Sequence, residues 1–528
     1  MSNNFNNDYQ YDSCISRGIC SINPRTSSLQ QILVLYLRLT AYYALKLEQN
    51  DEIYDEVKKI ILNTISIMVS NPEFSESDFN AVVHKFNEIL PEIIKKYENY
   101  CKNQNIEPDY IKSVLKYEKN IDIIKSIRMG EKEFLKTMKS IPQEILDMYK
   151  IMFVLAKSLC TNLLDLESYG LNFNSGYSAI LRLLDLLNKE SHVCEEIKSF
   201  MFEFAEINND LMKHLREIQI EKYCKQRAKE VSYSTTPGHA VLVVGSNIKE
   251  LEIILDAVKS YDIDVYTHDE MMLAHTFPKF NEYKNLKGQF GKGMENCLLD
   301  FATFPGPIIL TRHSLYNVEH LYRGLLYTTD FAYSKGVIPI NNRDFSGVIK
   351  SAINSKGFKT GKKCHSETIG FDYAEALNRI KEAVSSGEYS RIFIVGLSGY
   401  SKEPQDYVKT LIKKTPKDVL VISLSQCIES KNIICLNSEY DTYIIAKITE
   451  SVSQITKLSI TVFFPMCNRH TISKIIYIVS KHKNNVDIYL GQCTPIMLNP
   501  NLITTFRKMF KVEEFSTVKH DLEKILTK

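Results

Sequence analysis

The spacing of apolar residues changes near residue 235, and this change constrains the fold more than any other feature of the chain. Before it, segments such as 29–49 and 142–166 place apolar residues three and four positions apart, the spacing of helices with one buried face. After it, short apolar runs such as AVLVVG (240–245) and RIFIVG (391–396) alternate with helical patterns. Strands alternating with helices predict parallel sheets covered on both faces. The sequence thus predicts a helical bundle followed by α/β domains.

Two polar, basic segments mark the expected domain boundaries. They are KQRAKEVSYSTTPGH at 225–239 and SKGFKTGKKCHSET at 355–368, and such compositions are typical of linkers. A chain of 528 residues is too long for one hydrophobic core. We therefore expect a helical bundle domain over 1–234, a first Rossmann-like α/β domain over 235–366 and a second over 367–528.

The distribution of charge argues against nucleic acid and membranes as partners. The chain has 65 basic and 63 acidic residues and a net charge of +2, so no long-range field attracts a polyanion. The N-terminal MSNNFNNDYQYDS has no basic start and no apolar core of an export signal. No apolar run approaches the roughly 20 residues that span a bilayer. We expect a cytoplasmic protein.

The twelve cysteines are dispersed through a large chain without an export signal, which favours reduced thiols over a disulfide framework. Two groups merit a metal hypothesis, Cys14 with Cys20 and a late group. The late group comprises Cys427, Cys435, Cys467 and Cys493. The others are expected to be ordinary thiols: Cys101, Cys160, Cys194, Cys224, Cys297 and Cys364.

Several long motifs resemble the hybrid cluster proteins, iron–sulfur oxidoreductases related to nickel carbon monoxide dehydrogenases. They are CISRGICSINPRTSSLQQ (14–31), TTPGHAVLVVGSNIKELE (235–252), DVYTHDEMMLAH (264–275), FPGPIILTRHSLYN (304–317) and TIGFDYAEALNRIKEAVSSGEYSRIFIVG (368–396). The resemblance covers the first helix and nearly all of the second half. It implies a helical domain followed by two α/β domains, and a hybrid iron–sulfur–oxygen cluster held by one histidine, two glutamates and four cysteines.

Of the seven positions that correspond to these ligands, only one keeps the family's residue, Glu270. A nearby lysine of the family is also replaced. The family's histidine falls on Ser246, its cysteines on Ser314, Ser398 (the persulfide position), Gln426 and Glu439, its second glutamate on Asn468 and its lysine on His470. Serine keeps the shape of cysteine, but its hydroxyl is a poor iron ligand. The resemblance therefore implies a degenerate cavity that does not hold the hybrid cluster or reduce hydroxylamine.

A replacement metal site is a second interpretation of this cavity. Glu270, Glu439, His470, Cys427 and Cys467, with His268 or His275, offer mixed donors that suit zinc or iron. The alternative is that the carboxylates and imidazoles are hydrogen-bonded scaffold residues and that the thiols fill space. No HExxH or paired CxxC motif is present, which favours the alternative.

Cys14 and Cys20 match the last two cysteines of the family's four-cysteine motif, whose first two are absent. A cubane cluster takes four thiolates. A homodimer supplies four if each subunit contributes this pair to one bridging 4Fe-4S cluster, as in the related carbon monoxide dehydrogenases. The alternative is a relic pair of free thiols.

Three functions follow from these residues. The first is a homodimeric iron–sulfur redox protein that exchanges electrons with a donor protein. The second is a metal-free pseudoenzyme that serves as a binding or regulatory scaffold. The third is an oxidoreductase of the hydroxylamine reductase type with a remodelled metal site. Fold alone does not choose between them; retention of both Cys14 and Cys20 favours the first.

Overall fold

The structure is a computed structural model. It describes residues 24–47, 52–70, 76–110, 123–189, 193–291, 293, 296–314, 322, 324–330, 336–397, 399, 402–439, 441, 443–467, 470–482, 485–493 and 500–527.

The described residues of the first half are helical, which confirms the prediction from apolar spacing. The helices are α1 (Pro24–Ala44), α2 (Glu52–Ser70), α3 (Glu76–Asn103), α4 (Ile123–Ser140), α5 (Gln143–Ser168), α6 (Asn174–Leu186) and α7 (Cys194–Tyr223). Helix α1 packs against α2, α3, α4 and α6. Gly130 permits the close approach of α4, because a Cβ atom there would lie 2.1 Å from the Ser28 carbonyl oxygen.

A chain of buried side-chain hydrogen bonds links α5 and α7. Asn162 Nδ2 donates to Asn208 Oδ1 over 2.7 Å, and Asn208 Nδ2 donates to Ser158 Oγ over 2.8 Å. All three residues are buried. Because these polar groups have partners, the bundle accommodates them without the cost of unpaired burial.

The first α/β sheet has six parallel strands in the order β4-β3-β2-β5-β6-β7. The strands are β2 (His239–Val244), β3 (Ile263–His268), β4 (Leu286–Gln289), β5 (Ile308–Leu310), β6 (Leu326–Thr328) and β7 (Ile338–Pro339). Helices α8 (Ile248–Val258), α9 (Cys297–Thr303) and α10 (Ser346–Asn354) belong to the same region. Residues 240–244 of β2 are all buried, because a parallel strand is covered on both faces.

The second sheet repeats this arrangement, with parallel strands in the order β11-β10-β9-β12-β13-β14. They are β9 (Arg391–Val395), β10 (Val419–Ser423), β11 (Ile433–Cys435), β12 (Ser459–Cys467), β13 (Val486–Cys493) and β14 (Glu513–Glu514). The helices are α11 (Tyr373–Ser385), α12 (Lys402–Lys414), α13 (Ile444–Ile455), α14 (Thr471–Lys481), α15 (Pro500–Phe510) and α16 (Val518–Leu526). In both sheets the chain starts at the centre, winds to one edge and then to the other. The prediction of two Rossmann-like sheets is confirmed.

The two segments predicted as linkers are instead structured and pair with each other. Strand β1 (Lys229–Ser232) runs antiparallel to β8 (Ser366–Ile369). The pairing continues at Thr235 with Lys362 and at Gly238 with Phe358. Polar composition suggested linkers, but each segment satisfies its backbone hydrogen bonds on the other.

Helices α1–α6 belong to one compact unit, and both sheets belong to a second. The predicted boundary between the two α/β domains stays a prediction, because the two sheets share that unit. Among the described residues, no helix combines the length and the apolar composition needed to cross a membrane.

Candidate functional site

The predicted site residues follow the carboxyl ends of parallel strands. Each sheet has a switch point where the winding reverses, between β2 and β5 in the first sheet and between β9 and β12 in the second. Crevices open at such points, and α/β proteins bind ligands there.

Ser314 packs against Gly245, the residue before Ser246, at the first switch point. Gly245 has φ of +124°, and a Cβ atom on it would lie 2.0 Å from Ser314 Oγ and 2.2 Å from Thr311 Oγ1. The Thr311 hydroxyl donates to the Val244 carbonyl oxygen over 2.7 Å. Ser314 is 1% exposed and its hydroxyl lies 3.4 Å from that of Thr311. The two hydroxyls thus fill the crevice next to the glycine backbone.

Glu270 and the two neighbouring histidines follow β3. Glu270 is half-buried in a short 3-10 helix, Asp269–Thr276. His275 Nε2 lies 2.9 Å from the Thr267 hydroxyl, and burial lowers the pKa of His275 to about 4, so the ring is neutral near pH 7. The fully buried His268 places Nε2 3.0 Å from Asp300 Oδ2.

At the second sheet, Glu439 is the residue predicted to stand in place of a family cysteine. Its Oε1 accepts a hydrogen bond from the Gly399 backbone amide over 2.8 Å and one from the Ser425 hydroxyl over 3.4 Å. Gln426 Nε2 donates to the Thr368 carbonyl oxygen over 2.8 Å. Ser398 and Asn468 lie outside the described residues.

His470 is 6% exposed and occupies the position immediately before α14, without a side-chain capping hydrogen bond. One turn further along, Lys474 is also buried, with Nζ 2.7 Å from Met212 Sδ and 5.3 Å from the centre of the Tyr443 ring. Burial lowers the pKa of Lys474 to about 7, although the Asp441 carboxylate opposes this shift. Sequence reasoning missed Lys474, because a lysine in an amphipathic helix ordinarily faces water.

A cavity of about 540 Å³ lies beside these strand ends. The β1–β8 ribbon, the region of α9, helix α12 and the ends of β10 and β11 all contribute to its wall. Its charged lining residues are Asp300, Lys362, Glu367, Lys409 and Glu439, with His365.

Two of the predicted positions, Gln426 and Glu439, line this cavity. The other described ones, Ser246, Glu270, Ser314 and His470, are not among its described lining residues. The structure thus does not bring all the predicted site residues to one cavity: Ser246, Glu270 and Ser314 belong to the first sheet, and His470 follows β12 of the second.

Asp300 is a cavity residue that sequence reasoning did not select. Its side chain is 8% exposed and is held from two sides, since His268 Nε2 lies 3.0 Å from Oδ2 and Asn296 Nδ2 donates to Oδ1 over 3.0 Å. A Cβ atom at Gly291 would lie 2.3 Å from this carboxyl group. Its only sequence signal is an acidic residue in the first turn of α9, which is common in helices.

The four late cysteines form two disulfides rather than free thiols. Cys427 pairs with Cys435, with Cα atoms 5.9 Å apart, and Cys467 pairs with Cys493, with Cα atoms 4.7 Å apart. In this oxidised form Cys427 and Cys467 offer no thiolate to a metal. The other described cysteines are thiols outside any disulfide, as predicted.

Among the described residues, no group of three or more His, Cys, Asp or Glu side chains is placed to share one metal ion. The mixed-donor site around Glu270, Cys427 and Cys467 therefore stays a prediction for the reduced protein. Cys14 and Cys20 lie outside the described residues, so the bridging cluster stays a prediction as well.

The architecture defines a class of protein: a helical region followed by two doubly wound parallel sheets. The chain belongs to the Prismane/CO dehydrogenase family, which matches residues 10–431. It is similar to a hydroxylamine reductase of Thermodesulfovibrio yellowstonii (strain ATCC 51303 / DSM 11347 / YP87), at 23% identity over 538 aligned positions that cover 97% of this chain and 98% of the relative.

Among solved structures, the chain matches one described as NiZn[Fe4S4] and NiNi[Fe4S4] clusters in closed and open alpha subunits of acetyl-CoA synthase/carbon monoxide dehydrogenase. The TM-score is 0.46 at 10% identity, and the match covers 95% of this chain and 82% of the other.

Proposed function

We propose that the chain is a divergent iron–sulfur redox protein of the Prismane/CO dehydrogenase family, which acts as a cytoplasmic homodimer. One 4Fe-4S cluster bridges the subunits and is bound by Cys14 and Cys20 of each. An electron-donor protein is the expected partner, and neither nucleic acid nor a membrane is. The degenerate cavity at the hybrid-cluster positions does not reduce hydroxylamine, although the chain is similar to a hydroxylamine reductase over almost its whole length.

The residues at the predicted hybrid-cluster positions do not fit that cluster. This observation carries the proposal that the chain does not reduce hydroxylamine as its relatives do. Ser314 presents a buried hydroxyl where a thiolate is needed. The hydroxyls of Thr311 and Ser314 occupy the space beside Gly245. Hard oxygen donors in place of thiolates do not hold iron through sulfur.

The second sheet supports the same conclusion. Glu439 already accepts a hydrogen bond from the Gly399 amide. Cys427 and Cys467, each adjacent in sequence to an expected ligand position, are paired with other cysteines.

The redox function that we propose depends on Cys14 and Cys20. Two thiolates per chain are too few for a cubane cluster, whereas a two-fold dimer provides four. Such a cluster would supply one-electron transfer at the subunit interface. The chain's own contribution is the pair of thiolates that precedes α1.

A metal-free scaffold is the second candidate function. It is favoured by the polar residues that satisfy one another at the strand ends, such as Glu250, whose Oε2 accepts from the Arg312 amide over 3.0 Å and from the Thr329 hydroxyl over 2.5 Å. A pseudoenzyme of this kind would use the cavity to bind a ligand rather than to transform it.

Anaerobic purification followed by iron and sulfide analysis and electron paramagnetic resonance tests the proposal. We expect about two iron atoms per chain, because one four-iron cluster is shared by two chains. Cys14→Ser and Cys20→Ser should each abolish the iron and the cluster signal. Cys224→Ser, at an exposed free thiol, is the matched control and should retain both.

Other results would replace the proposal. A folded, dimeric protein without iron would establish the scaffold function. Iron well above two atoms per chain, retained in Cys14→Ser, would establish a remodelled metal site, and hydroxylamine turnover by that protein would restore the third function.

A further inference from the structure

Cys427 and Cys435 lie in a position that the proposed cluster does not use. Their Cα atoms are 5.9 Å apart, within the roughly 4.4–6.8 Å that a disulfide requires. Cys427 lies in the connection from β10 to β11, and Cys435 is the last residue of β11. Between the two cysteines, Ser430 and Ile433 exchange both backbone hydrogen bonds over 3.2 and 3.1 Å. This turn holds the two cysteines near each other whether or not the sulfur atoms are bonded.

The two sulfur-bearing residues differ in their access to solvent. Cys427 is half-buried and is followed by Ile428, which is 88% exposed, whereas Cys435 is 9% exposed and lies in the sheet. Thiol–disulfide exchange starts at the accessible sulfur, and a buried partner thiol then resolves the mixed disulfide. The pair therefore has the asymmetry of an exchanging couple rather than that of a fully buried structural bridge.

The pair is also connected to the cavity wall. Gln426, immediately before Cys427, lines the cavity, and so do Asn437 and Glu439, shortly after Cys435. The Leu436 amide donates to the Ser423 carbonyl oxygen over 2.8 Å, so the wall beyond Cys435 continues the ladder of β10. A bond between Cys427 and Cys435 ties the two parts of this wall together.

We propose that Cys427 and Cys435 form a reversible dithiol–disulfide site that exchanges with low-molecular-weight thiols and disulfides. In a reducing compartment a disulfide is typically transient and redox-sensing or catalytic. The site is independent of the proposed cluster, since it uses neither Cys14 nor Cys20.

The exchange balances as two substitutions at sulfur. The Cys427 thiolate attacks a small disulfide, whose S–S bond breaks and releases one small thiolate. The Cys435 thiolate then attacks the Cys427 sulfur of this mixed disulfide and releases the second. Two electrons pass from the protein to the small disulfide, and the two protons lost by the protein thiols go to the two small thiolates. Excess small thiol reverses both steps.

The test equilibrates the full-length protein with glutathione over a range of reduced-to-oxidised ratios, followed by acid quenching, alkylation and peptide mass spectrometry. We expect Cys427 and Cys435 to change together, from both alkylated to both protected from alkylation, and to return when the ratio is reversed.

The variants separate the roles of the two cysteines. Cys435→Ser should accumulate a glutathione mixed disulfide on Cys427. Cys427→Ser should leave Cys435 largely unmodified because of its burial. Cys364→Ser removes an exposed thiol that lines the same cavity and should leave the titration unchanged.

Three results would overturn the proposal: both thiols alkylatable in excess oxidised glutathione, a disulfide that excess reduced glutathione does not open in the folded protein, or a bond from Cys427 to Cys364. Thermal unfolding of each variant verifies that it folds. Iron measured on the same samples separates the two proposals, because loss of the cluster leaves this titration intact and failure of the titration leaves the iron in place.

Discussion

Burial of Lys474 imposes a cost on the folded protein that depends on pH, and Lys474→Met should remove it. The amine contacts Met212 and the Tyr443 ring. Its pKa falls from 10.5 to about 7, mainly through burial, with Asp441 opposing the shift and Arg216 adding to it. Each pKa unit corresponds to about 1.4 kcal/mol, so the cost of the charged amine approaches about 5 kcal/mol at low pH. Methionine fills a similar volume without a charge.

The folded pKa lies below the unfolded one, so between pH 7 and 10.5 the unfolded chain binds more protons at this site and stability rises with pH. The cost is complete below pH 7 and vanishes above about pH 10.5. From these two pKa values we expect the Lys474→Met chain to be more stable than the native chain by about 4 kcal/mol at pH 7 and about 2 kcal/mol at pH 9.

Urea unfolding followed by circular dichroism at pH 7 and pH 9 measures this difference. Lys481→Met, at the last residue of the same helix α14, controls for the loss of a positive charge. An advantage of Lys474→Met that is equal at both pH values would refute the reasoning, and so would a variant less stable than the native chain at pH 7.

Two further substitutions test the packing around the strand ends. Gly245→Ala should destabilise the protein by about 2–4 kcal/mol, since the new Cβ atom meets Ser314 Oγ at 2.0 Å and φ is +124°. Gly170→Ala is the control, because Gly170 has a positive φ but open space around it, and it should destabilise the protein by only about 1 kcal/mol. Arg216→Gln should cost about 3–5 kcal/mol, because it removes a bidentate partner at 2.6 and 2.9 Å from the Asp441 carboxylate, whose side chain is 1% exposed. Thermal unfolding measures both, and Asp441→Asn added to Arg216→Gln should recover part of the loss. Equal effects of the two glycine substitutions, or no recovery in the double variant, would contradict these explanations.

The strands could be predicted because continuous runs of apolar residues in the sequence indicate burial. Runs such as residues 240–244 and 392–395 are buried, and a short continuous apolar run is typical of a strand covered on both faces. The β1–β8 ribbon was not predictable in this way. Its residues are largely polar, and its pairing joins positions such as Val231 and Glu367 that are distant in sequence.

For the candidate site, the positions of some residues could be predicted from the sequence, but their contacts could not. The resemblance placed Ser246 and Ser314 after predicted strands, and the structure has both after strands of the first sheet. The contacts that give these residues their properties were not visible in the sequence, such as the Gly399 amide on Glu439 or the pairing of Cys427 with Cys435.

The sequence by itself determined the layers of this protein, because apolar periodicity is a local property of the chain. Only the tertiary structure decided which polar groups meet. The Asp300 carboxylate lies beside His268, and Lys474 is removed from water beside Met212, through contacts between residues far apart in the sequence. Hydrogen bonding and desolvation depend on these neighbours in space, and no local pattern in the chain encodes them.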